Sequence, residues 1–358
     1  MTNFIIGVGL DIGTAGTRPQ DVAERLSGAT QLRAAQRLEA AGIDLLTLGD
    51  SLDALPPDDS VFHARLDALN LFSWLGPQTS RIGLIPTVTV THTEPFLIGT
   101  ATATLDYSAR ARSGWQVGVS TAGSEAGNVG RRRAADSDSV WREASEVVDV
   151  VRKLWDSWEE GAEIRDQATG RFLDLGQVHY VDFEGTDSVG ETFTVKGPSI
   201  VPRPPQGNPV VTIAVDDEPS LHVAAQCADL VLLPISDAQP ELESLPRKLD
   251  ELRRAIVAAG RSAQDVRILG SLRYSAVGAG SGFTGGHDLS ERAAGWRGLG
   301  LDGLHLLPDS LDDGVSAIVD ELIPALRAAG VLDGQAADAE TLRQRLGLPA
   351  AQNQYARR

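Results

Sequence analysis

The densest group of polar side chains in the sequence lies between an apolar run and a helical pattern. It is Thr89-Val90-Thr91-His92-Thr93-Glu94, which places three hydroxyls, an imidazole and a carboxylate within six residues. Hydroxyls and a neutral imidazole can stabilise negative charge that develops on a ligand. The alternative is local, because Thr89 and Thr91 would also serve as caps of the following helix, with Pro95 in its first turn. Both interpretations stay open at this level.

Eight short apolar runs with strand character must position this group. They are Phe4–Leu10, Asp44–Leu48, Ile82–Pro86, Trp115–Ser120, Val210–Val215, Leu230–Pro234, Val266–Leu272 and Gly303–Leu307. Most are apolar throughout, which is typical of parallel strands covered on both faces. Helical patterns lie between most of them, so residues 1–358 are predicted to form a single (β/α)8 TIM barrel. A doubly wound sheet is the alternative, but no G-x-G-x-x-G follows the first run.

In a barrel of this kind the C-terminal strand ends form the functional site. Thr87, Thr89 and His92 follow one such end and are therefore predicted to face a ligand. Residues 159–209 intervene between the fourth and fifth strand runs, which is far longer than an ordinary connection. Tyr180 and Phe193 make this insertion too apolar for a structureless linker, so we expect a lid at the C-terminal mouth or an interface arm.

Composition narrows the class of protein. The formal net charge of -17 opposes binding to nucleic acid and to anionic membrane surfaces. No apolar run approaches the ~18 residues that span a bilayer, and the N-terminus resembles no signal peptide. The single cysteine, Cys227, allows no intramolecular disulfide and gives no metal-site spacing, so no metal is expected. These features predict that the protein is located in the cytoplasm.

Several blocks of the chain resemble one enzyme family. "THTEPF", "ATLDYSARARSGWQVGVS" and "EAGNVGRR" are similar to segments of the nitrilotriacetate monooxygenase-like branch of the bacterial luciferase-like flavin monooxygenases. "FTVKGPSIVPRPPQGNPVV", "GLDGLHLLP" and "ETLRQRLGLP" resemble later blocks of that branch, and the similarity is collinear from about Leu45 to Pro349.

The resemblance implies a cofactor and partners. Reduced FMN would be supplied by a separate NAD(P)H:flavin reductase, would activate O2 as a C4a-hydroperoxide, and would oxygenate a small organic substrate. It also implies a homodimer, which we expect to form through the region Asp67–Trp74, where Leu71, Phe72 and Trp74 are apolar. Coenzyme F420, used by proteins of the same fold, and a non-catalytic flavin-binding homologue are the alternatives.

The resemblance also implies roles for individual residues. His92 and Gln116 would be catalytic, and His179 on the insertion and His305 in the last strand would bind substrate. The implied cofactor-binding residues are Asp50, Thr87, Thr89, Gln116, Ser120, Asn128 and Trp141. Gln116 stands where the family usually has Asn, and it keeps the amide with one extra methylene. Simpler interpretations remain: a solvent-facing turn for Asp50, a loop-turning amide for Asn128 and a buried core histidine for His305.

One stretch departs from the family pattern. Where the family has Q-A-G-S-S-x-x-G to hold the FMN phosphate, this chain has "IAVDDEPSLHVAA", with Asp216, Asp217 and Glu218. Val140-Trp141 also replaces an Arg-Tyr pair whose hydroxyl contacts the phosphate in the family. Three explanations follow: the acids point to solvent while Arg131–Arg133 hold the phosphate, the flavin binds weakly, or flavin binding has been lost.

Overall fold

A closed barrel of eight parallel strands forms the centre of the computed structural model, which describes residues 4–10, 26–53, 65–236, 238–275, 283–332 and 341–356. In chain order the strands are β1 (Ile5–Gly9), β2 (Leu45–Leu48), β3 (Gly83–Thr89), β4 (Gly114–Gly118), β5 (Glu163–Asp166), β6 (Arg171–Leu173), β7 (Phe183–Thr186), β8 (Thr192–Val195), β9 (Val210–Ala214), β10 (Leu230–Pro234), β11 (Arg267–Ser275), β12 (Phe283–Thr284) and β13 (Gly303–Pro308). The barrel order is β1-β2-β3-β4-β9-β10-β11-β13, and β13 pairs with β1 to close it. The predicted (β/α)8 barrel and all eight of its strands are confirmed.

Helices alternate with the barrel strands and cover their outer faces. They are α1 (Ala29–Ala41), α2 (Ala68–Leu75), α3 (Pro95–Ser108), α4 (Gly123–Val129), α5 (Ser137–Asp156), α6 (Glu218–Cys227), α7 (Gln239–Ala258), α8 (Gly286–Leu299), α9 (Leu311–Ala317), α10 (Ile323–Ala328) and α11 (Leu342–Arg345). A π-helical stretch, Ile318–Leu322, joins α9 to α10, and short 3-10 helices occupy Gly76–Gln78, Leu175–Gln177 and Ala263–Asp265. None of the helices in the described part of the chain is long and apolar enough to cross a bilayer.

The N-terminus of α3 shows whether Thr89 and Thr91 cap this helix. Its N-cap residue is Glu94, and no side chain caps the helix, while Pro95 does occupy the first turn. The Thr91 hydroxyl instead accepts a hydrogen bond from the Ser120 N–H, at 3.1 Å, which ties the ends of β3 and β4 together. The interpretation that Thr89 and Thr91 cap α3 is therefore wrong.

The barrel interior has two layers, because alternate side chains of each strand point inward. Near the N-terminal ends the inward positions are apolar, and the C-terminal segment closes this end of the barrel with three leucines. This layer comprises Ile5, Leu45, Ile85, Val210, Leu230, Leu232 and Leu269, with Leu342, Leu346 and Leu348 as the plug. On six strands the next inward position is polar or titratable: Thr47, Thr87, Gln116, Thr212, Ser271 and His305. Polar groups are thus concentrated at the C-terminal mouth.

The insertion 159–209 begins and ends at the opposite face. Gln206 donates its side-chain N–H to the Ser113 carbonyl, at 2.8 Å, and Ser113 directly precedes β4. The Tyr107 hydroxyl, at the C-terminal end of α3, donates to the Arg203 carbonyl at 2.9 Å. The prediction that the insertion forms a lid over the C-terminal mouth is therefore wrong for the two ends of the insertion. The reason is topological, because α5 first returns the chain to the N-terminal end of the barrel.

One hairpin of the insertion does reach the other end. Strands β7 and β8 pack along α5, and Asp187 in their connection forms an ion pair with Arg132 at 2.9 Å. Arg132 also pairs with Glu143 of α5 at 2.9 Å, so the tip of this hairpin is fixed beside the rim of the mouth. His179 lies elsewhere in the insertion, hydrogen bonded to Glu159 at 2.6 Å. It also stacks on Tyr355 with a ring-centroid distance of 5.0 Å.

The region predicted to form the dimer interface exposes fewer apolar side chains than the sequence suggests. Leu71 and Phe72 are buried within the barrel's own core, with 5% and 0% of their surface exposed, whereas Trp74 is 44% exposed. The amphipathic pattern of α2 therefore serves mainly the fold of a single chain. The homodimer stays a prediction.

Candidate active site

A cavity of about 540 Å³ opens at the C-terminal mouth of the barrel. Its walls are mostly apolar, and polar groups project from the strand ends. The lining side chains include Thr47, Gln116, Asp216, Leu232, Ile235, Ser271, Phe283, His305 and Leu307. Gly9 lies at its base, where a β-carbon would stand 2.5 Å from the Leu307 side chain, so glycine keeps this space open. A concave, largely apolar site with a few converging polar groups is typical of small-molecule binding.

His305 forms the polar centre of this cavity. Its Nε2 lies 2.8 Å from the Thr47 hydroxyl and its Nδ1 lies 2.9 Å from the Ser271 hydroxyl. Complete burial lowers the pKa of His305 to about 4. A neutral imidazole has one donor and one acceptor nitrogen, so one hydroxyl must donate to the ring and the other must accept. His305 is thus a neutral hydrogen-bonding group at pH 7.

The pair Ser271–His305 does not qualify as a nucleophile with its base. An imidazole with a pKa of about 4 is too weak a base to activate a serine hydroxyl near neutral pH. Its second nitrogen contacts the Thr47 hydroxyl and no carboxylate, so the third member of a catalytic triad is missing at this position.

Gln116 is placed as the sequence predicts. It lies in β4 between Thr87 of β3 and Thr212 of β9, is partly exposed, and lines the cavity. Its amide has no hydrogen-bond partner among the described residues, so both its donor and its acceptor are available to a ligand.

A second cavity, of about 400 Å³, lies beside the first, at the ends of β2 and β3. Thr87 and Thr89 line it, and the buried Thr87 hydroxyl has no hydrogen-bond partner in the described part of the chain. Asp50 also lines it, but its carboxylate accepts from the Ala68 N–H at 2.9 Å and pairs with Arg65 at 3.1 Å. Asp50 therefore orders the loop that leads into α2.

Ser120 and Asn128 support the rim and do not line either cavity. The buried Ser120 hydroxyl donates to Glu125 at 2.5 Å, and the other Glu125 oxygen accepts from the Leu52 N–H at 3.1 Å. The exposed Asn128 amide donates to the Leu52 carbonyl at 3.1 Å. The loop-holding interpretation of Asn128 fits this contact.

His92 and Trp141 lie in buried surroundings outside the two cavities. Trp141 belongs to the core between α5 and the barrel, where it is 6% exposed. His92 adopts a left-handed backbone conformation with φ of 70°, and its buried ring nitrogens have no partner among the described residues. Burial lowers the pKa of His92 below its ordinary value, and the nearby Arg132 lowers it further. Gln116 and His305 thus share the mouth cavity, Thr87 and Thr89 line the second cavity beside it, and His179 lies at the other face.

Sequence reasoning missed three residues of this region. Thr47 and Ser271 hold His305, and Glu125 holds Ser120. The first two carried a signal, because each is a hydroxyl two positions after an inward apolar residue of the same strand. Glu125 carried none, since it lies in the first turn of a helix and one of its partners, Leu52, comes from a distant loop.

The buried imidazole gives a prediction on pH. A native pKa of about 4 against an ordinary 6.5 means that the unfolded chain binds a proton that the native protein does not. Stability therefore falls as the pH drops from about 6.5 towards 4. Replacing His305 with glutamine keeps hydrogen bonding but removes the titration. Between pH 7 and pH 4.5 we expect the free energy of unfolding to fall about 2 kcal/mol more in the wild type. Denaturant unfolding at several pH values measures this, and parallel profiles would show that His305 is not buried neutral.

The fold and the mouth cavity together define a (β/α)8 barrel protein with a ligand site at the C-terminal strand ends. Residues 10–277 match the family model described as luciferase-like monooxygenase, and the chain belongs to this family.

Two curated relatives are identical to this chain at about a third of the aligned positions. It is 33% identical over 251 residues to N-acetyl-S-(2-succino)cysteine monooxygenase of Bacillus subtilis (strain 168), covering 70% of this chain and 54% of that protein. It is 34% identical over 204 residues to nitrilotriacetate monooxygenase component A of Aminobacter aminovorans, covering 57% and 43%. The chain thus spans about half the length of the curated relatives it matches.

Solved structures of the same fold cover nearly the whole chain. EDTA monooxygenase from Chelativorans sp. BNC1 superposes with a TM-score of 0.82 at 19% identity, covering 98% of this chain and 99% of that one. Long-chain alkane monooxygenase gives a TM-score of 0.79 at 19% identity, with coverage of 97% and 96%. At such identities the likeness shows the fold.

Proposed function

We propose that this protein is the oxygenating component of a two-component monooxygenase, which uses reduced flavin and O2 to oxidise a small organic substrate. The observation that carries the proposal is the mouth cavity. It is largely apolar, its histidine is too weakly basic to activate a nucleophile, and its Gln116 amide is uncommitted among the described residues. Such a site suits a cofactor that brings its own chemistry. Family membership supports this assignment.

The residues at the mouth fit the ring of a flavin. The ring is flat and apolar on its faces and carries donors and acceptors on its edge. Leu232, Ile235 and Leu307 offer apolar walls and Gln116 offers a polar contact, while the unpartnered Thr87 hydroxyl lies in the second cavity beside them. These two groups are our candidates for holding the ring edge. His92, Ser120, Asn128 and Trp141 would act through the surrounding structure.

When bound, reduced flavin supplies the two electrons with which one oxygen atom enters the substrate and the other leaves as water. The chain's own residues prepare the site for this. The apolar walls exclude water from the reacting atoms. His305, neutral at pH 7, uses both ring nitrogens to orient the Thr47 and Ser271 hydroxyls, and the Gln116 amide can donate to negative charge as it develops.

The proposal includes partners. Reduced flavin would come from a separate NAD(P)H:flavin reductase in the cytoplasm, and the printed name "component A" of one relative is consistent with a system of more than one component. We further propose that the protein is a homodimer and that the half-exposed Trp74 lies in its interface.

Labelled oxygen tests the reaction. The protein, a generic flavin reductase and NADH would be supplied with 18O2 and a panel of candidate substrates. The panel follows the names of relatives: nitrilotriacetate, dibenzothiophene sulfone, dimethyl sulfide and a long-chain alkane. We expect at least one product to carry a single 18O atom. Flavin binding without oxidation of any compound would favour a non-catalytic flavin-binding protein.

A further inference from the structure

Two helices begin side by side at the rim of the mouth cavity. Helix α6 follows β9 after a short turn, and Asp216 in that turn lines the cavity. Helix α5 packs against α6. The N-terminus of a helix attracts anions, because its first N–H groups are unpaired and its dipole is positive there. A ligand in the cavity with a phosphoryl group at this end would ordinarily find two such termini.

In this chain the N-terminus of α6 is already filled by the protein. Asp217 is its N-cap, and the carboxylate accepts from the Ser220 N–H at 2.9 Å and from the Ser137 hydroxyl. The Ser220 hydroxyl in turn accepts from the N–H groups of Asp216, at 3.0 Å, and Asp217, at 2.9 Å. The donors that would cradle an anion therefore serve the protein's own side chains.

The neighbouring terminus is occupied in the same way. Asp136 is the N-cap of α5 and accepts from the Ser139 N–H at 2.8 Å, with Asp138 in the first turn. Together with the acids of the α6 turn, five exposed residues with carboxylates lie at these two helix starts, and Asp216 is the one that lines the cavity. They are Asp136, Asp138, Asp216, Asp217 and Glu218. Burial and the charge of Asp217 raise the pKa of Asp216, as expected where carboxylates repel one another.

Two of the nearby arginines are committed to other acids. Arg131 pairs with Glu94 at 2.8 Å, and Arg132 pairs with Glu143 and Asp187, each at 2.9 Å. Arg133 is exposed and forms no ion pair within the described ranges. Arg142 of α5, near Asp136, is also exposed and has no ion pair among the described residues. Two exposed cations do not offset five carboxylates, so the basic cluster is a poor substitute for a phosphate site.

We propose that Asp217 and Glu218 make this rim selective against a phosphoryl group, so that the protein binds a flavin through its ring and ribityl chain and takes riboflavin at least as readily as FMN. This inference rests on the proposed use of flavin. The three acids are exposed, as one explanation of the acidic turn requires, but Asp217 also fills the helix terminus that would otherwise receive a phosphoryl group. The residues at the mouth fit the flavin ring, and those at this rim do not fit its phosphate.

The test compares two flavins and two proteins. The Asp217→Ser/Glu218→Ser variant removes two charges, and serine keeps the helix cap. Two unit charges at roughly 6 Å from a phosphate weaken its binding by about tenfold in a water-like dielectric. We therefore expect the variant to bind FMN about tenfold more tightly at low salt, with a smaller gain at high salt. Riboflavin affinity should stay unchanged. Asp250→Asn/Glu251→Gln, in the exposed middle of α7, removes the same charge elsewhere and serves as the control.

Binding would be followed by quenching of flavin fluorescence for the oxidised forms and by anaerobic absorbance titration for the reduced forms. The expected result for the unmodified protein is an FMN dissociation constant equal to that of riboflavin or larger. A preference for FMN of a hundredfold or more, unaffected by the double change, would overturn this inference and leave the proposed function intact. Failure of both flavins to bind would overturn the two together. An equal gain in the α7 control would assign the effect to net charge and not to the rim.

Discussion

Replacing Gln116 with leucine is expected to slow oxygenation about 100-fold, because removal of one hydrogen-bond donor aimed at developing charge has an effect of this size in other enzymes. The side chain lines the mouth cavity and its amide has no partner among the described residues. Leucine has a similar volume, so the fold should not change, and the midpoint of thermal unfolding should stay close to that of the wild type. Turnover with the best substrate of the labelled-oxygen panel provides the measurement.

The matched control is Gln116→Asn, which keeps the amide and shortens its reach by one methylene. This variant should lose less than tenfold in turnover. If leucine and asparagine reduce the rate equally, the length of the side chain matters and its amide does not. If leucine leaves the rate unchanged, Gln116 has no part in the reaction, and the hydrogen bonds to the cofactor must come from other residues such as Thr87.

Replacing Arg343 with alanine is expected to lower the free energy of unfolding by about 3 kcal/mol, a typical result when a buried ion pair loses one partner. Asp229 is completely buried, and Arg343 binds both of its carboxylate oxygens at 3.0 Å and 3.2 Å. Arg152 remains at 3.2 Å from one oxygen, so the carboxylate keeps a single cation. Arg343 also donates to the carbonyls of Asn208 and Pro349, so its loss loosens the C-terminal plug as well.

Urea unfolding of Arg343→Ala would measure this effect, with Arg345→Ala as the control. Arg345 lies in the same short helix and donates to the Asp44 carbonyl at 3.3 Å, with no ion pair within 4.0 Å in the described part of the chain. Its replacement should cost about 1 kcal/mol. Equal losses from the two variants would contradict the special role of the Asp229 pair. Combining Arg343→Ala with Asp229→Asn should recover part of the stability, because the buried side chain is then uncharged and the cation that loses its partner, Arg152, is partly exposed to solvent.

The barrel could be predicted from the sequence because its strands are apolar on both faces, which distinguishes them from amphipathic helices. The position of the insertion could not be predicted from its length and composition. It follows from the order of elements: the helical stripe that includes Trp141 and Trp155 precedes the insertion, so the chain is at the N-terminal face when the insertion begins. In the sequence Trp158 continues the helical spacing of Trp155, but α5 ends at Asp156 and Trp158 donates instead to the Ser199 carbonyl at 2.8 Å.

Three of the predicted site residues lie where the period of two in a strand sets the direction of a side chain. Thr87, Gln116 and His305 lie at inward positions near strand ends, and all three line a cavity. The rule does not extend into turns. His92 follows β3 in a left-handed conformation, so its side chain leaves the direction that the strand would have given it. The capping role of Asp217 was also hidden, since three consecutive acids do not show which of them turns back onto the helix.

The reaction of reduced flavin with O2 in the presence of saturating protein tests the central claim most directly. Reduced riboflavin and reduced FMN would be bound anaerobically and mixed with oxygenated buffer, and flavin oxidation would be followed by absorbance. The proposed function predicts a time course that is slower than that of free flavin and proceeds in more than one phase, and that returns towards the free rate in Gln116→Leu. Oxidation of the bound flavin at the free rate, with an identical course in the variant, would contradict it.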